Sequence, residues 1–71
     1  MEEVNHPQRY NNGNIECIDA MVDVFGQQAT NDFAVLNAFK YIWRHKQKNG
    51  KQDIDKALWY LNYYKDHYQD N

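Results

Sequence analysis

The chain has 71 residues, a net charge of −2 and a sequence pI near 5.8. That length holds one domain, and the acidic balance excludes a general nucleic-acid binder, which carries a basic field. A lone cysteine, Cys17, excludes an intrachain disulfide, and His6, His45 and His67 stand too far apart, without a CxxC partner, for zinc.

A chain this short buries only about 60% of its unfolded surface, so dense helix packing or oligomerisation is expected to stabilise it. Aromatics make up 15% of the residues, with six tyrosines and two tryptophans. That excess over what a small core needs points to an interface, a ligand site or both. No apolar run approaches the roughly 18 residues that span a bilayer. The acidic, polar start Met1-Glu2-Glu3-Val4-Asn5 is unlike a signal peptide. A cytoplasmic protein without membrane association is expected.

The elements predict an all-α fold, a small three-helix domain behind an irregular arm, and an oligomer. Residues 1–14 form the arm, with the only proline, Pro7, and the turn-forming run Asn11-Asn12-Gly13-Asn14. Asn14 is a candidate cap for a first helix over about 15–25, with Glu16 in its first turn. Its apolar stripe is Ile15, Ile18, Val22 and Phe25, and Gly26 ends it. Residues 27–31 read as a connector, with Thr30 or Asn31 capping a second helix over about 32–48. Phe33, Leu36, Phe39 or Lys40, and Trp43 trace its expected buried side. Asn49-Gly50 stops it, and the flanks lack the alternation of a hairpin. The third helix spans about 52–67, with Ile54, Ala57, Leu58, Leu61, Tyr64 and Tyr68 as its stripe. The short connection makes helices two and three antiparallel neighbours.

The chemistry concentrates on one face. Lys40, Arg44 and Lys48 recur at spacing four and share a helix side, with Lys56 early in the next helix. They suit a phosphate clamp, Arg44 supplying a planar fork and the lysines point charges. A solvated face with ion pairs to Asp53 and Asp55 is the equal alternative. Asn37, Lys40, Tyr41 and Arg44 make a continuous polar patch on a helix that is apolar elsewhere. Trp59 and Tyr60 could stack on a base at about 1–3 kcal/mol per base, or pack in a subunit interface. His6, Arg9 and Tyr10 lie in the arm, where such residues can close over a ligand. Glu16, Asp19 and Asp23 line one strip of the first helix, which could meet Mg²⁺ but reads first as a solvated face. Cys17 reads as a small buried apolar side chain rather than a nucleophile. No G-x-x-x-x-G-K-[ST] loop is present, which excludes a conventional P-loop kinase.

Several blocks together resemble a known family. They are Val4-Asn5-His6-Pro7, Tyr10-Asn11, Gly13, Ile15-Glu16-Cys17-Ile18-Asp19, Asn37-Ala38-Phe39-Lys40-Tyr41-Ile42-Trp43-Arg44, Lys48-Asn49-Gly50 and Asp53-Ile54-Asp55-Lys56-Ala57-Leu58-Trp59-Tyr60-Leu61. In order and spacing they are similar to a small phage-borne domain of unknown function, the DUF3310 type, often labelled nucleotide kinase-like. The resemblance implies phage or prophage origin, a host cytoplasmic location and nucleotide handling. By matching positions it points to His6, Tyr10, Glu16, Asn37, Lys40, Arg44, Lys48, Asp53 and Lys56. The family usually has histidine where Arg9 stands, so the resemblance implies binding more directly than catalysis.

Three functions are expected in turn. The first is a small oligomeric nucleotide-binding protein without a cofactor, holding phosphates with Lys40, Arg44 and Lys48 and the base with Trp59 or Tyr10, and sequestering a nucleotide or a nucleotide-derived host defence signal. The second is a P-loop-less nucleoside monophosphate kinase, which needs Mg²⁺ near Glu16 or Asp19. The third is a phage protein that blocks a host enzyme through its aromatic surface.

Overall fold

The computed structural model describes residues 11–12 and 15–70, with side chains from Glu16 onward. Three helices dominate: α1 (Cys17–Phe25), α2 (Gln27–Arg44) and α3 (Lys51–Asp66). Ahead of them, β1 (Asn11–Asn12) and β2 (Ile15–Glu16) form a minimal antiparallel pair, Asn11 opposite Glu16 and Asn12 opposite Ile15. The fold class is all-α, as the helical spacing predicts. Among the described residues no helix is long and apolar enough to cross a membrane.

The helix boundaries move for identifiable reasons. Ile15 and Glu16 belong to the strand pair, so α1 starts at Cys17 and Glu16 takes its flanking position without a side-chain cap. The expected cap at Asn14 lies outside the described residues. Gly26 alone separates α1 from α2. Its φ of 94° and ψ of 163° lie in a region open essentially to glycine. Its N–H donates to the Val22 carbonyl at 2.8 Å, closing α1, and its own carbonyl accepts from the Thr30 N–H at 3.3 Å, opening α2. Helix α2 therefore begins at Gln27, not near Asp32. The run Gln27-Gln28-Ala29 consists of good helix formers, so the expected connector is helical.

Thr30 and Asn31 consequently sit inside α2 rather than capping it, and both are buried. Thr30 Oγ1 donates to the Gly26 carbonyl at 2.9 Å. Asn31 Oδ1 accepts from Gln27 Nε2 at 3.0 Å, and Asn31 Nδ2 donates to the His67 carbonyl at 2.7 Å. Gln27 Nε2 also donates to the Tyr63 hydroxyl at 3.1 Å. One end of the α2–α3 pair is thereby fastened through buried polar groups, which must find partners when removed from water.

At its other end α2 stops at Arg44. A 3₁₀ turn over His45–Gln47 follows, and the Gly50 N–H donates to the His45 carbonyl at 2.6 Å. Gly50 has φ 55°, a conformation L side chains rarely adopt; it turns the chain into the next helix, while the second helix itself ends at Arg44 rather than near residue 48. Lys51 then opens α3.

Helices α2 and α3 pack through small residues. Ala34, Ala38 and Ala57 are buried, Tyr41 is 6% exposed, and the Tyr60 ring stacks on Tyr41 at 6.1 Å with 12° between planes. Phe33 meets the edge of Tyr60 at 5.9 Å. The expected buried side of α2 is corrected here. Leu36, Phe39 and Trp43 are 68%, 60% and 78% exposed. At 100° per residue they point away from Ala34, Ala38 and Tyr41, the side that α3 occupies. On the third helix Ala57 is buried and Ile54 and Tyr64 half-buried, while Leu58, Leu61 and Tyr68 are exposed. On α1, Ile18 and Val22 are half-buried and Phe25 is exposed.

Candidate functional site

The cations gather where α2 ends and α3 begins. Lys40 Nζ lies 4.5 Å from the centre of the Tyr41 ring, the Arg44 guanidinium carbon 4.9 Å and Lys56 Nζ 5.4 Å. Two helices thus bring three positive groups around one electron-rich ring. Each cation–π contact contributes about 0.5–1 kcal/mol at a partly wet site, which offsets part of the repulsion among them.

Asp53 fixes the arrangement. Its carboxylate is 0% exposed in the first turn of α3. Asp53 Oδ1 accepts from Arg44 Nη2 at 3.2 Å and Oδ2 from Arg44 Nε at 3.3 Å. Oδ2 also accepts from the Asn49 N–H at 3.1 Å. Burial by itself raises the Asp53 carboxyl's pKa. The Arg44 and Asn49 hydrogen bonds and the guanidinium charge outweigh it and hold the group below its ordinary value. Asp53 therefore stays ionised and keeps Arg44 beside Tyr41. With two of its donors committed, Arg44 retains Nη1 and one Nη2 hydrogen.

Lys40 and Lys56 differ from Arg44. Among the described residues neither has a carboxylate within ion-pair distance. The expected pairing with Asp53 holds for Arg44 alone. Lys48 leaves the row: α2 has already ended, and Lys48 follows the 3₁₀ turn with φ −128° and ψ −102°. Its place near the ring is taken by Lys56, which sequence spacing within one helix could not reveal. Asn37 is half-buried on α2, one turn ahead of Tyr41.

Other expected site residues are placed differently. His6, Arg9 and Tyr10 lie outside the described residues. Glu16 is half-buried at the start of α1, while Asp19 and Asp23 are exposed on it. Among the described residues no three His, Cys, Asp or Glu side chains converge as a metal set. Cys17 is exposed rather than buried, because it opens α1 instead of sitting within it.

Trp59 belongs to a run of rings. Its ring meets the edge of Tyr60 at 4.9 Å and lies across Tyr63 at 5.9 Å; Tyr63 in turn stacks on His67 at 4.1 Å. Through Tyr60 and its stack on Tyr41, this run reaches the cationic cluster. Spacing four along α3 places 59, 63 and 67 in line; His67 was not expected to join them. A polar hollow of about 150 Å³, lined by Gln28, Asn31, Tyr64, Tyr68 and Gln69, lies toward the other end of the α2–α3 pair.

A helical hairpin that carries an arginine–lysine cluster around a tyrosine defines a small all-α domain with a cationic cluster at one end. Residues 4–62 match the family DUF3310, described as proteins of unknown function, and the chain belongs to that family. No curated protein and no solved structure matches it.

Proposed function

We propose that this chain is a phage-borne protein of the host cytoplasm that binds a nucleotide or nucleotide-derived molecule through its phosphates and sequesters it. The observation that carries the reading is the convergence of Lys40, Arg44 and Lys56 on Tyr41. Among the described residues one carboxylate, Asp53, pairs within this set of three cations, with Arg44, and such an excess of positive charge favours an anion beside them. A phosphate oxygen can take Nη1 of Arg44 while the ammonium groups add charge from either helix. The Tyr60–Trp59–Tyr63 rings adjoin the cluster, and aromatic rings are the side chains on which bases stack. Nucleotide class is preferred over inorganic phosphate because cations and aromatic rings adjoin.

The test is ligand depletion. The protein is incubated with a mixture of mononucleotides, ATP with Mg²⁺, cyclic dinucleotides and ADP-ribose variants, and is then filtered off. The filtrate is assayed, and so is whatever the retained protein releases on heating. A compound removed and later released unchanged supports sequestration. A kinase built on this site would instead return converted nucleotides, with Mg²⁺ held near Glu16 or Asp19. If nothing is depleted or converted, the nucleotide reading fails and a host protein becomes the expected target.

A further inference from the structure

Helix α2 is built inside out. Its small residues Ala34 and Ala38 face α3, while Val35, Leu36, Phe39, Ile42 and Trp43 are exposed on the other side. The Phe39 and Trp43 rings lie 5.8 Å apart on that surface. An apolar stripe of this size on a monomer marks an interaction surface. Its spacing alternates threes and fours over 32, 35/36, 39, 42/43 and 46, the pattern of a helix–helix seam. Exposed charges close its two ends, Asp32 in α2 and Lys46 in the 3₁₀ turn.

We propose that a second copy of the chain covers this face, its α2 running antiparallel across a twofold axis near Phe39. In that register Phe39 meets Phe39, Leu36 faces Ile42 and Val35 faces Trp43 of the other copy, and Asp32 faces Lys46. The stripe is self-complementary in charge only when antiparallel, and a twofold interface repeats each contact.

Five large apolar side chains exposed on one face need a cover. Residues 1–14 suit that role poorly, since Met1, Val4, Pro7 and Tyr10 are their only apolar side chains.

Sedimentation velocity on the full chain tests this. The wild type is expected at twice the chain mass. Phe39→Glu, which puts two charges on the axis, is expected to sediment as a monomer with its helical circular dichroism retained. The end charges give an independent check that leaves the apolar stripe intact. Asp32→Lys or Lys46→Asp alone should raise the dissociation constant roughly tenfold, because the axis repeats each pair, and the double exchange should restore it. A monomeric wild type overturns the proposal and passes the face to residues 1–14 or to a different protein. A dimer that survives Phe39→Glu, or a double exchange no tighter than the single ones, overturns the interface and register.

Discussion

Asp53 holds Arg44 by both carboxylate oxygens, at 3.2 and 3.3 Å, while a third bond from the Asn49 N–H ties the same carboxylate to the turn before α3. This one buried acid therefore joins the end of α2, the intervening turn and the start of α3. It also places the guanidinium that completes the cation cluster over Tyr41.

The Asp53 carboxyl is held below its ordinary value of 3.8. A carboxylate depressed in the folded state adds stability above its unfolded value, and that stability is lost as pH falls through the folded one. The thermal midpoint should fall as pH drops below about 4. Asp53→Asn should lower the midpoint at neutral pH and flatten this acid dependence. Thermal melts at neutral and acidic pH, followed by circular dichroism, measure both. An unchanged acid slope in the variant would remove Asp53 from the account.

Gly26 separates two helices in a single residue. A Cβ there meets nothing within 4 Å, so the cost of Gly26→Ala is the backbone conformation alone. That cost should be about 1–3 kcal/mol. Urea unfolding of the variant checks it; a stability equal to wild type would mean that the backbone at this position is not as described.

Ala38 is 1% exposed in the contact between α2 and α3. Ala38→Leu should force the helices apart and lower stability by about 1–3 kcal/mol. Since Tyr41 and Lys56 stand on opposite sides of that contact, the cluster should open as well. Denaturation together with nucleotide titration of the variant would show both effects.

Much of the fold was legible in the chain. Gly26 ends α1 where its backbone freedom is needed, Gly50 turns the chain into α3 although α2 already stops at Arg44, and the short connection makes α2 and α3 antiparallel. Thr30 and Asn31 look like caps in the sequence, yet α2 starts ahead of them at Gln27. Their side chains serve the helix interior and α3 instead, a tertiary use that local propensity cannot distinguish. The burial of Leu36, Phe39 and Trp43 was expected because large apolar residues usually face inward. Here close helix packing selects alanines, and the larger stripe is left outside. At the site, Lys40, Arg44 and Tyr41 follow from helical spacing. The exchange of Lys48 for Lys56 depends on where α2 stops and how α3 returns, which a spacing rule within one helix does not contain.

Calorimetric titration of the wild type and a Lys40→Ala/Lys56→Ala variant with a mononucleotide and with its unphosphorylated nucleoside tests the phosphate site most directly. These lysines are chosen because Arg44 also carries the fold through Asp53. The nucleotide should bind in strong preference to the nucleoside, with affinity weakened about tenfold for each lysine removed. Equal binding of nucleoside and nucleotide, or an unchanged affinity in the double variant, would contradict the phosphate site.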